Sequence, residues 1–241
     1  LSRCVVNVAI GGRNQQKYIV GQERLRNQLG GETLRFYTNG YPIGCPEHKD
    51  VPYAFKAYAL KEAANYATTL LWCDSSIVLG ARPLEELWEK IETDGYWIAR
   101  GGWSNYEWTA DSAYQDLFPM FGLVNGRDAN RRIPHVIATA FGLNVRGWTG
   151  ARFLSEYLVL AQSQAFIGPI TNSNFPGAQW SGNPAKCSPC GPPDVRGHRH
   201  DQTAASVIAW RLGMKLSDTP EWFAYRGQET DKTCLIADGA Y

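Results

Sequence analysis

An aspartate and two hydroxyls close the apolar run Leu70-Leu71-Trp72-Cys73-Asp74-Ser75-Ser76, and apolar character resumes at Ile77-Val78-Leu79. Such a run is the pattern of a buried strand. The acidic turn falls at its carboxyl end, which is where ligands collect in open α/β sheets. A carboxylate with a hydroxyl two positions on, Asp74 and Ser76, offers hard oxygen ligands to a divalent cation. A cation held there could neutralise a departing diphosphate.

The second chemical cluster is Gly197-His198-Arg199-His200-Asp201-Gln202-Thr203. An imidazole of His198 or His200 can supply the ligand that Ser76 does not provide as an acid. Asp201 suits a general base toward a hydroxyl, or an N-cap of the helix that follows. Cys187-x-x-Cys190 lies just upstream; with these histidines it has the ligand types of a structural zinc site, and equally those of a disulfide or a free thiol pair. Gly11-Gly12-Arg13 would let the backbone approach a nucleotide, with Arg13 near its phosphates. Trp103, Tyr106 and Trp108 stand among Gly, Ser and Asn, a setting too polar for all three to be core. Arg127, Arg131, Arg132, Arg146 and Arg152 form either a solvated face or a surface for a phosphate backbone.

The elements that must position these groups alternate. Strand-like runs at Val5 to Ile10, Thr33 to Tyr37, Leu70 to Cys73 and Tyr96 to Ala99 are separated by helical patterns at 18–29, 53–67 and 84–92. That alternation implies a largely parallel sheet. Lys56 lies near the start of the 53–67 helix, whose Phe55, Tyr58, Ala59, Glu62, Ala63 and Tyr66 share one face. The pattern breaks between 101 and 130, becomes apolar again at 133–144, and gives helices at 150–165 and 201–212. A Pro-, Gly-, Asn- and Ser-rich stretch of about 168–197 reads as one long mobile loop, a length that is usually functional in a compact domain.

The chain has 241 residues, enough for one large α/β domain, and its net charge of +1 gives no global pull toward nucleic acid or an anionic membrane. No apolar run is long enough to span a bilayer, and no secretory signal pattern is present. Six cysteines in a chain of this length do not make a disulfide scaffold, and Cys4 and Cys73 fall in strand-like runs. A reducing cytoplasmic setting is the expectation.

Two stretches carry a resemblance to a known family. Pro52-Tyr53-Ala54-Phe55-Lys56 precedes a helix that leads into Leu71-Trp72-Cys73-Asp74-Ser75-Ser76, and the 197–203 motif opens another helix. This layout resembles GT-A-type glycosyltransferases. It covers most of residues 5–215 in order of elements and is specific at these two motifs. The resemblance implies a single α/β domain over 1–241, a Rossmann-like and mostly parallel sheet flanked by helices. It implies a nucleotide-sugar donor, often a UDP-sugar, and Mn2+ or Mg2+ as cofactor. On this sequence the metal would fall to Asp74, Ser76, His198 and His200. The donor would fall to Gly11, Gly12, Arg13, Trp72 and Lys56, the last either as a donor contact or as a structural ion pair. Trp103, Tyr106 and Trp108 would face the acceptor. Asp201 would be the base of an inverting enzyme or would orient sugar hydroxyls in a retaining one.

The sequence departs from the family where Ser76 replaces the second acid of the DxD motif, which puts the metal in doubt. The acceptor stays open: a glycan, a protein, a small molecule, or a hydroxymethylated base in DNA that would have to be flipped out of the duplex. Two other classes compete. A non-catalytic nucleotide- or carbohydrate-binding module is favoured by the missing acid. A nucleotidyltransferase would be expected to have a first loop richer in Gly and Lys.

Overall fold

The computed structural model describes residues 2–10, 15–117, 126–168 and 191–238. In chain order the elements are β1 (Arg3–Val8), α1 (Gln15–Leu29), β2 (Leu34–Tyr37), α2 (Ala54–Ala63), β3 (Thr69–Cys73), β4 (Ile77–Leu79), α3 (Leu84–Asp94) and β5 (Tyr96–Ser104). A 3-10 turn (Asn105–Trp108) follows, then α4 (Asp111–Leu117), α5 (Gly126–Ala129), β6 (Pro134–Asn144), α6 (Trp148–Gln162), α7 (His200–Arg211), β7 (Phe223–Tyr225) and β8 (Leu235–Ala237).

The main sheet has the order β2-β1-β3-β6-β5. β1 runs parallel to β2 and β3, β6 runs antiparallel to β3, and β5 antiparallel to β6. Four strands therefore point one way and β6 is reversed. This is the mixed, mostly parallel α/β sheet that the alternation implies. The alternation of β1 and β3 buries both of their faces. Val6, Val8, Leu70 and Trp72 join one core with α2, α6 and α7; Val5, Leu71 and Cys73 join a second core with α1, α3 and the C-terminal strands. Continuous apolar runs, rather than alternating ones, are what two-sided burial requires.

α1 ends at Leu29, where Gly30 takes a left-handed φ of 52°, the stop legible from Gly30-Gly31. α2 is shorter than its pattern: it ends at Ala63, and Tyr66, expected on its apolar face, is exposed. The structure adds a second sheet, β4-β8-β7, that the sequence reading did not contain. Its strands are three residues each, too short for a period-2 pattern to show.

α1 approaches the acidic turn closely. A Cβ on Gly21 would lie 2.2 Å from the Ser75 carbonyl oxygen, so only glycine fits. Gly21→Ala should therefore lower stability by about 2 kcal/mol, because overpacking against backbone outweighs the gain in helix propensity. A denaturant midpoint equal to or above that of the wild type would show that α1 does not rest on this turn.

Candidate functional site

The carboxyl ends of β1 and β3 converge on the first turns of α2 and α7. Lys56, in the first turn of α2, lies with its Nζ 3.3 Å from Asp74 Oδ1 and 3.2 Å from Asp201 Oδ2. It donates a hydrogen bond to the Ala138 carbonyl at 2.8 Å. The Lys56 and Asp201 side chains are each 4% exposed, whereas that of Asp74 is 30% exposed. Burial alone pulls the lysine toward neutrality, yet Asp201 and Asp74 more than offset it and its pKa is raised. The magnitudes agree. At an effective dielectric of about 20, each ammonium–carboxylate contact at this range is worth about 5 kcal/mol, and two such contacts outweigh a desolvation penalty of several kcal/mol. Desolvation raises both carboxylates, with Lys56 opposing it. One ammonium faces two carboxyl groups, and the cluster opens to solvent at Asp74.

Each member is held by a second partner. The Trp72 indole Nε1–H donates to Asp74 Oδ1 at 2.8 Å, and the Tyr157 hydroxyl donates to Asp201 Oδ2 at 2.8 Å. The β5–β6 ladder slips between Ile98↔Phe141 and Arg100↔Val136. Ala138 lies in the slipped stretch, which frees its carbonyl for Lys56, while its N–H donates to Gln202 Oε1 at 3.5 Å. Gly101-Gly102 in β5 marks a second irregularity of this ladder, between Arg100↔Val136 and Ser104↔Pro134. Tyr157 had no signal beyond its place on the inner face of an amphipathic helix.

Backbone strain gathers here. Among the described residues, the non-glycine positions with positive φ are Tyr53 (61°), Gln164 (64°) and His200 (45°). Tyr53 caps α2 and His200 opens α7, and their rings lie 5.7 Å apart. The Tyr53 N–H is received by His48 Nδ1 at 3.0 Å, a partner the sequence reading did not contain. His200 Nδ1 donates to the Phe166 carbonyl at 3.0 Å, which leaves Nε2 as its lone-pair nitrogen. Burial holds His200 down to about 4 and His135 down to about 3, and it depresses His198 and His48 as well. All of the histidines are neutral at pH 7.

The four residues expected to bind metal, Asp74, Ser76, His198 and His200, are not gathered as one ligand set. Among the described residues no three His, Cys, Asp or Glu side chains converge as a metal site. Asp74 Oδ1 instead receives the indole N–H of Trp72 and faces an ammonium, and His200 turns Nδ1 to a carbonyl. The positive charge between Asp74 and Asp201 is supplied by Lys56. Trp72 is fully buried, so the donor-binding face expected of it is not available, and its contribution runs through Asp74. Lys56 takes the ion-pair alternative. Gly11, Gly12 and Arg13, like Cys187 and Cys190, lie outside the described residues.

The aromatic loop is also corrected. Tyr106 and Trp108 are buried, and only Trp103, 43% exposed, faces solvent. The Tyr106 hydroxyl donates to Asp194 Oδ1 at 2.9 Å, and the Trp108 backbone carbonyl accepts from the Thr203 hydroxyl of α7 at 2.8 Å. Trp103 carries the Arg196 guanidinium 3.6 Å over its ring. Arg131 pairs with Asp128 and Asp194, and Arg127 with Asp111. Ion-paired arginines are poor candidates for a phosphate backbone. No helix among the described residues is long and apolar enough to cross a membrane.

No protein-family model and no curated protein matches the chain. Among solved structures, the crystal structure of a glycosyltransferase involved in glycosylation of the major capsid of PBCV-1 aligns over 100% of this chain and 95% of its own, with a TM-score of 0.53 and 10% identity. Mouse xyloside xylosyltransferase 1 in its apo form aligns over 98% and 85%, with a TM-score of 0.48 and 12% identity. The apo WbbM bifunctional glycosyltransferase aligns over 100% and 46%, with a TM-score of 0.48 and 10% identity. At such identities the likeness is one of fold: the α/β fold implied by the two motifs is shared with the PBCV-1 capsid glycosyltransferase.

Two expectations follow from the geometry. Lys56→Met leaves the buried Asp201 and the partly exposed Asp74 without their cation and should cost about 3–5 kcal/mol. Adding Asp201→Asn should recover part of that loss in chemical denaturation. A single variant as stable as wild type would mean that the ion pairs do not hold the site.

His135 gives a pH signature. Its folded pKa of about 3 lies below the ordinary 6.5, so the unfolded chain takes up a proton first. The stability it contributes is complete above pH 6.5 and is lost as pH falls toward 3, by about 1.4 kcal/mol per pH unit. Between pH 6 and 5, wild type should lose that much more than His135→Gln. Equal slopes would overturn the assignment.

Proposed function

We propose that this chain is a glycosyltransferase that moves a sugar from a nucleotide-sugar, with a UDP-sugar as the first donor to test, to an acceptor hydroxyl. The observation that carries this reading is the Lys56 cluster at the carboxyl ends of the parallel strands, on a fold shared with a glycosyltransferase. Asp201 is sealed against Lys56 and Tyr157, and Asp74 is left partly open. Only Asp74 is thus in a position to meet a ligand directly. A carboxylate accepts hydrogen bonds from sugar hydroxyls, and Lys56 favours the ionised form of Asp74 against the desolvation that raises its pKa. Asp201, expected as a base, fits better as the anchor of Lys56, because its Oδ2 already receives two donors and its side chain has little exposure. Trp103, partly exposed with the Arg196 guanidinium over its ring, is the aromatic side chain left to meet the acceptor.

The test is a screen of UDP-, GDP- and CMP-sugars for hydrolysis and transfer, with and without Mn2+, on wild type and Asp74→Asn. Turnover of a nucleotide-sugar is expected, and Asp74→Asn should lower it at least a hundredfold with the fold intact. Asp201→Asn should reduce donor affinity and turnover together, since it acts through Lys56. A wild-type protein that neither turns over nor binds any nucleotide-sugar would overturn the reading. The Mn2+ arm separates a donor site completed by Lys56 from one that needs a cation brought in with the diphosphate.

A further inference from the structure

Behind the Asp74 turn lies a polar chain that the proposed chemistry does not use. Asn7 and Gln22 are fully buried. The Asn7 Nδ2 donates to the Cys73 carbonyl at 2.6 Å, and the Ser75 hydroxyl lies 3.3 Å from Asn7 Oδ1. Gln22 Nε2 donates to Asn7 Oδ1 at 2.7 Å and to the Tyr37 carbonyl at 3.1 Å. The Thr38 hydroxyl donates to Gln22 Oε1 at 2.6 Å.

The placement has a physical reason. The β1–β3 ladder ends at the pair Val6↔Trp72. At the next position along β1 the Asn7 side chain takes over from the backbone and binds the last carbonyl before Asp74. Only the amide nitrogen can donate to that carbonyl. Gln22 donates to the Asn7 oxygen, so the Asn7 nitrogen must face Cys73. Thr38 fixes Gln22 in the same way. None of these side chains has a buried polar atom left without a partner, and a fully satisfied buried network holds one geometry. Gly21, which brings α1 against the Ser75 carbonyl, is the neighbour of Gln22, so the close approach and the polar chain arise from the same turn of α1.

We propose that Asn7 is a positioning residue for Asp74, locked in its orientation by Gln22 and Thr38. It fixes the Cys73–Ser75 turn so that the Asp74 carboxylate stays between the Trp72 indole and Lys56. The proposal rests on the reading of Asp74 as the ligand-facing carboxylate, and its structural half can be tested apart from that reading.

The Trp72 indole N–H bonds directly to Asp74, so its hydrogen exchange, followed by 15N NMR and assigned with Trp72→Phe, reports on where the carboxylate sits. The buried indoles of Trp88 and Trp97 serve as internal references. Asn7→Asp keeps the size but places an oxygen against the Cys73 carbonyl. It should speed Trp72 exchange at least tenfold and leave Trp88 and Trp97 within about twofold. Thr38→Val, which leaves Asn7 in place, should act in the same direction, and Thr38→Ser should restore the wild-type rate. If Asn7→Asp does not fold, the Thr38 pair carries the test. Unchanged Trp72 exchange, or equal acceleration of all three indoles, overturns the proposal, the latter because it would mark a general loss of stability. In a transferase assay the same variants should lower kcat with donor KM held within about twofold. Absence of any transferase activity in wild type would count against the functional reading alone, and the exchange result would still decide the role of Asn7.

Discussion

A buried ammonium must be neutralised within hydrogen-bond reach, and Lys56 meets that demand by drawing three separate parts of the chain to one point. Asp74 comes from the end of β3, Asp201 from the first turn of α7, and the Ala138 carbonyl from a slipped stretch of β6. Placing the lysine in the core costs several kcal/mol unless all of these partners are present together. The cluster therefore ties α2, α7 and the centre of the sheet into one arrangement. The left-handed residues Tyr53 and His200, at the starts of the two helices involved, are the strain that this convergence sustains.

The two carboxylates differ because their surroundings differ. Asp201 is enclosed by Lys56 and Tyr157 beneath α6, whereas Asp74 stands on the turn at the carboxyl end of the central strand and is partly exposed. Such a division, one acid buried as a counter-ion and one left partly accessible, gives a site a fixed charge without closing it. The histidines around it are kept neutral by burial.

Toward the other side of α7 the chemistry changes from charge to shape. Tyr106, Trp108 and their arginine neighbours are spent on one another: Arg131 lies 3.6 Å over the Tyr106 ring and Arg199 lies 4.2 Å over that of Trp108. These contacts make the 3-10 turn at Asn105–Trp108 a brace for the helix that carries Asp201. Trp103 alone among the three aromatics keeps a substantial exposed surface, which narrows the part of the loop able to meet an acceptor.

The sequence by itself determined the layer order of this fold. Apolar runs such as Val5–Val8 and Leu70–Cys73 declare strands buried on both faces. The helical spacing between them declares the crossovers, and the terminal acid Asp74 marks the strand end where ligands gather. These are local signals, written within about ten residues of each other. It also singled out Lys56, Asp74 and Asp201, and left open whether Lys56 touches a donor or an ion-pair partner. Only the tertiary structure decided that Lys56 stands between Asp74 and Asp201 as their ion-pair partner, that Trp72, Tyr106 and Trp108 are sealed inside, and that Asn7, Gln22, Tyr157 and His135 stand behind it. Asn7 shows locally only as a polar break in the run Val5–Val8, and no local pattern marks the other three. A buried asparagine or tyrosine gains its meaning from a partner tens of residues away, as Tyr157 does from Asp201 and Asn7 from Cys73. Such pairs exist only once the sheet register and the helix crossings have been fixed.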